Sequence, residues 1–174
     1  MVLITLPTLK YLSAYHPNLQ QQIGAMLEHD TLSAFLLKKY PSTHKITNDN
    51  GLRDHVMELK NRFMRRSSPL SKICFDKKIH IVNNALGLHT YVSRIQGAKL
   101  KSKNELRVST LFKNTPEEFL NMIVVHELAH LKVKDHNKAF YHLCLHMLPD
   151  YHQIEFDVRV YLTQLEERGE IYGA

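Results

Sequence analysis

His126, Glu127 and His130 stand in the run H-E-L-A-H, which matches H-E-x-x-H. On an α-helix, residues i and i+4 share a face, so the two imidazoles can hold one metal ion while the carboxylate between them reaches water bound to it. The chemistry open to such a set is hydrolysis, in which a metal acidifies water and a carboxylate takes the proton. A catalytic zinc commonly has three protein ligands and keeps one position for water, so a third donor is required.

His136 follows His126 by ten residues, giving H-E-x-x-H-x-x-x-x-x-H, a spacing that some zinc enzymes use after a glycine turn. Position 133 is Val, so the chain has to turn by other means, with Lys134 and Asp135 ahead of a new helix near Asn137. Glu155, a carboxylate on a later helix, stays open as the alternative third ligand. Asp135, His142 and His146 are further competitors; His142 and His146 form an i, i+4 pair without a Glu and read as a solvated or core helix face.

The element carrying the motif must be a helix. Thr115 precedes Pro116 and stands three residues before Glu118, which reads as an N-cap, a Pro at the first helical position and a capping box. Phe119, Leu120, Met122, Ile123, Val124, Val125, Leu128, Ala129 and Leu131 cover almost the whole circumference, and a helix apolar all round is buried. Two His and a Glu inside it need partners, because an unpaired buried polar group costs about 1–3 kcal/mol and a charge more. A metal satisfies all three.

The runs V-H-E-L-A-H-L-K at 125–132, D-H-N-K-A-F-Y at 135–141 and M-L-P-D-Y at 147–151 resemble the YgjP-like metallopeptidases, relatives of the SprT-like and WLM zinc peptidases. The resemblance covers about the last third of the chain. It implies a zincin-like α+β fold, one zinc per chain held by His126, His130 and His136, and Glu127 as general base. The Trp-bearing stretch that the family carries on a strand upstream is not matched by residues 91–98, and the chain has no Trp.

A length of 174 residues suits one domain with an N-terminal accessory segment, here a helical segment at 1–45 ahead of the metallopeptidase domain at 46–174. Cys74 and Cys144 form no C-x-x-C and sit in apolar runs, as buried free thiols do. The amino terminus lacks a basic region before its apolar run, and no stretch approaches the roughly 18 apolar residues of a membrane span; a cytoplasmic protein without membrane contact is expected.

Patterning predicts short helices at 16–22 and 31–40, a turn at 48–51, and a helix at 52–66 whose Val56, Leu59 and Phe63 share a face. Strands follow at 73–75, 79–82, 90–95 and 106–112, the last two joined as a hairpin by a loop at 97–104. After the motif helix come helices at 137–147 and 154–167. The expected fold is a small, mostly antiparallel sheet packed on the metal helix with flanking helices. Residues 106–112 are the candidate edge strand for pairing with an extended substrate.

Charge is uneven: residues 1–115 hold 18 Lys and Arg against 7 Asp and Glu, and residues 116–174 hold 5 against 10. Lys60, Arg62, Arg65 and Arg66 cluster at a helix end, and Lys99, Lys101 and Lys103 on the hairpin, so a weak nucleic-acid contact through the basic two-thirds is conceivable. A helix end suited to its macrodipole and a solvated loop tip explain the same residues. Two functions are expected. In the first, a zinc peptidase acts on a peptide or protein, with Glu127 as base and Tyr141 or Tyr151 beside the oxyanion. In the second, a metal-dependent nuclease or nucleic-acid-associated factor uses the same three histidines. Glu127 favours the first, because nucleases with this spacing resemble H-G-x-x-H there. A metal-binding protein without turnover is a third possibility.

Overall fold

The computed structural model describes residues 9–79, 87–96 and 99–173, with residues 87–96 and 99–103 described by backbone alone. Among the described residues, three strands follow three α-helices along the chain and precede three more: α1 (Pro17–Glu28), α2 (Leu32–Lys39), α3 (Asp49–Phe63), β1 (Leu70–Asp76), β2 (Gly87–Gln96), β3 (Lys99–Ser109), α4 (Glu117–Ala129), α5 (Lys138–Met147) and α6 (Tyr151–Arg168). The class is α+β. Among the described residues no helix is long and apolar enough to cross a membrane.

The sheet order is β1-β3-β2. β2 pairs with β3 antiparallel, with Gly87 opposite Val108 and Gln96 opposite Lys99, while β1 pairs with β3 in parallel, with Ile73 opposite Leu106. The expected mostly antiparallel sheet is therefore corrected to one with a parallel β1–β3 pair. The cause is that β3 inserts between its two predecessors instead of being added at the end. The same order overturns residues 106–112 as an edge strand: β3 is central, its backbone groups are taken on both sides, and Thr110–Asn114 form a 3-10 turn. Leu106 and Val108 are fully buried, and the alternating Glu105 and Arg107 face away from them, as a strand's period of two requires. Lys99, Lys101 and Lys103 fall at alternate positions of β3 rather than in a loop, and their side chains lie outside the described residues. So does most of the expected strand at 79–82.

α4 is the buried axis of the molecule: Phe119, Leu120, Met122, Ile123, Val124, Val125, Leu128 and Ala129 are all at most 1 % exposed. Its start departs from the expected capping box. Pro116 is the N-cap residue, and the buried Thr115 hydroxyl donates to the Phe112 carbonyl (3.1 Å), closing the 3-10 turn instead of capping the helix. α3 begins at Asp49, earlier than its apolar pattern suggests, because the Asn48 side chain accepts from Gly51 N–H (2.8 Å). Val56 is buried on it with Leu59 and Phe63 packed alongside. Lys60 is only 4 % exposed and donates to the Ser67 carbonyl, so it does not belong to a surface basic cluster. Helices α1 and α2 lie on α6, and their Ile23, Leu27, Leu32 and Leu36 belong to the same apolar cluster as α4. Cys74 and Cys144 are buried and free.

Candidate metal centre

His126 sits in the last turn of α4 and His130 at its C-cap, so one turn of helix stacks their rings on one side, 4.9 Å apart. The chain then turns without a residue in the left-handed region: Val133 N–H donates to Ala129 O (3.0 Å) and Asn137 N–H to Asp135 O (2.8 Å). The Asn137 side chain accepts from Phe140 N–H (3.0 Å) and starts α5, as the sequence suggests for this position. This short connection returns His136 to the other two. Its Nε2 lies 3.0 Å from Nε2 of His130 and 3.3 Å from Nε2 of His126.

Three ligands of one tetrahedral zinc at about 2.0–2.1 Å stand about 3.3–3.4 Å apart. The observed spacing therefore fits a metal ion. The opposite ring nitrogens support it. His130 Nδ1–H donates to the Val133 carbonyl (2.9 Å), which leaves Nε2 as the lone-pair nitrogen. His126 Nδ1 is 2.7 Å from the Tyr151 hydroxyl. Burial, and then the neighbouring His130 and His136, hold His126 down to a pKa of about 3, and burial likewise lowers His130; both are in the neutral form that ligation needs. Phe140, fully buried, packs within 4.5–5.0 Å of all three rings and fixes their orientation.

Glu127 is 1 % exposed, neither carboxylate oxygen has a hydrogen-bond partner among the described residues, and burial raises its pKa to about 8. A carboxylate carried inside without a partner is costly. An unpartnered buried carboxyl next in sequence to His126 on the same helix is the second feature that fits a metal-dependent water chemistry.

The structure thus brings together His126, His130 and His136, with Glu127 adjacent in sequence on the same helix. Glu155 is not in the convergent set. It lies in α6 within hydrogen-bond reach of Tyr151 and pairs with Arg159 (3.4 Å). Asp135, His142 and His146 are exposed, the last two on the outer face of α5. Tyr151 is fully buried with its hydroxyl committed to His126, so its placement beside an oxyanion is corrected to support of a ligand; Tyr141 is half-buried next to it. Sequence reading missed Phe140 and the Val133 carbonyl. Nothing local marks a backbone carbonyl.

An α+β fold built on a buried H-E-x-x-H helix, with a third histidine returned by the next turn, defines an enzyme class that works through a bound metal. The chain belongs to the YgjP-like metallopeptidase family, whose model, described as YgjP-like, metallopeptidase domain, matches residues 44–159. It is 55 % identical over 157 residues to the UTP pyrophosphatase of Escherichia coli (strain K12), covering 90 % of this chain and 94 % of that protein. No solved structure matches it.

Proposed function

We propose that the protein is a zinc-dependent hydrolase that cleaves UTP to UMP and pyrophosphate. The observation that carries this reading is the 55 % identity to a protein named UTP pyrophosphatase, over an alignment too long to leave out residues 126–136. Three convergent imidazoles favour zinc as the ion. When bound, zinc would lower the pKa of water toward about 7 and draw charge from an oxygen of the phosphoryl group under attack. His126, His130 and His136 would hold the ion, with Tyr151 and the Val133 carbonyl setting the rings of the first two. Glu127 accepts the proton of the attacking water. The water oxygen bonds to the α-phosphorus, the bridge to the β-phosphate breaks, and pyrophosphate leaves with the electron pair.

Peptide hydrolysis is the second reading, favoured by Glu127 within H-E-x-x-H and by the family description. Glu127 would then pass the proton to the leaving amine.

The zinc-loaded full chain, incubated separately with UTP, an unfolded protein and RNA, tests both. Phosphorus NMR should show UMP and pyrophosphate from UTP, and Glu127→Gln should keep one zinc per chain while slowing turnover by about 10²–10⁴-fold. Cleaved protein with intact UTP would move the assignment to a peptidase. RNA cleaved equally well by Glu127→Gln would sink both.

A further inference from the structure

Part of the positive charge of residues 1–115 converges on a place that the three histidines do not use. A cleft of about 430 Å³ opens at the carboxyl ends of β1 and β3. Lys72 reaches it from β1, Lys77 and Lys78 from the turn that follows, Arg107 from β3 and Lys113 from the 3-10 turn. The two acids in its lining are already engaged. Asp49 accepts from Phe75 N–H (2.9 Å), and Asp76 accepts from Lys78 N–H (2.8 Å) and from Arg107 (2.9 Å).

Arg107 is itself clamped on its other side by Glu105 (2.9 and 3.1 Å). Lys113 lies over the Phe75 ring, its nitrogen 5.3 Å from the centroid. Among the described residues none of the four lysines has a carboxylate within ion-pair distance. Four such cations at one concavity repel one another, and a ligand carrying several negative charges relieves all of them at once. The volume lies in the range of small-ligand sites rather than that of a surface made for an extended duplex.

We propose that this cleft binds a multivalent phosphate anion, either free pyrophosphate or the polyphosphate tail of a nucleotide. Its lining takes no residue from α4 or α5 and none of His126, His130 and His136. The site is therefore distinct from the metal centre. The inference stands on the cleft's own charge and does not depend on UTP hydrolysis; if that reaction holds, its product is one of the two candidate ligands.

Calorimetric titration of the full chain with pyrophosphate, without added divalent metal, tests this. Binding at one site per chain is expected, weakening as salt rises, unchanged in His136→Ala and weakened about tenfold or more when Lys72, Lys77, Lys78 and Lys113 are all changed to Gln. Should that variant melt early, Lys77→Gln with Lys78→Gln alone, on an exposed turn, should still weaken binding severalfold. UTP competing as well as pyrophosphate identifies the nucleotide tail as the ligand; UTP competing at least tenfold less well identifies free pyrophosphate. Wild-type affinity in both lysine variants, loss of binding in His136→Ala, or single-stranded RNA bound more tightly than pyrophosphate through the same lysines would each overturn the proposal.

Discussion

Tyr151 shows how much of a ligand's behaviour is set by an atom that never meets the metal. Its ring is fully buried, and its hydroxyl stands 2.7 Å from His126 Nδ1, where it fixes both the plane of the imidazole and which nitrogen faces His136. Removing the hydroxyl keeps the volume and the packing against Tyr141. Tyr151→Phe should therefore lower zinc affinity about 10–100-fold in competition with a chelator, while the melting temperature of the metal-free protein changes little. Equal affinity in the two proteins would mean that Phe140 and the helix alone orient His126. Glu127 is the complementary case, because its carboxylate touches no ligand ring in a recorded hydrogen bond. The expected retention of zinc in Glu127→Gln separates a base from a ligand, and zinc loss in that variant would overturn its role.

The element that ties the metal helix to the rest of the sheet layer is the segment between α2 and α3. His44 N–H donates to the Thr115 carbonyl just before α4 (3.1 Å), His44 Nε2–H donates to Phe112 O (2.6 Å), and Nδ1 accepts from Ile46 N–H (3.0 Å). Both ring nitrogens are thus used by the neutral form, and burial lowers the pKa below the ordinary 6.5. Below about pH 6.5 the unfolded chain takes up a proton that the folded one resists. The contribution of His44 is therefore present above that pH and is lost as pH falls toward the folded-state value. His44→Gln cannot take the proton, so its urea-unfolding stability should decline less steeply than wild type between pH 7 and pH 5. Parallel declines would show that the loss comes from other groups, among them His126 and His130, which burial also lowers.

At the scale of the whole molecule, the helices that precede the family match at residue 44 share the apolar cluster of α4 and α6. A buried polar link between them is Asp157 of α6, 1 % exposed, which accepts from the Tyr40 hydroxyl, from Lys39 (2.7 Å) and from the Gln153 amide (3.1 Å). Asp157→Ala strips an acceptor from a buried hydroxyl and an amide, at a cost of about 2–3 kcal/mol. For a chain of this size that corresponds to a fall of about 4–12 °C in melting temperature. Zinc content should stay at that of wild type, because Asp157 and the three histidines have no shared partner. A drop in zinc content alongside the lower melting temperature would show that the N-terminal helices support the site itself.

The sequence by itself determined what depends on neighbours along the chain. H-E-x-x-H had to lie on a buried helix, Asn137 had to start the next one, and His136 was placed within reach by a short connection; each follows from helical period or capping, which act over a few residues. The buried state of Cys74 and Cys144 was legible for the same reason, from apolar surroundings in the local run. Contacts between distant segments were not legible. Only the tertiary structure brought His136, and not Glu155, into the group with His126 and His130, because that convergence depends on how the turn after α4 folds back. Only it put β3 between β1 and β2, since strands of equal apolar pattern can add to either edge of a sheet and packing against α4 makes the choice. The Thr115 hydroxyl belongs here too: a sequence that spells a capping box lost it to the Phe112 carbonyl, which the chain fold brings within reach and which also accepts from His44.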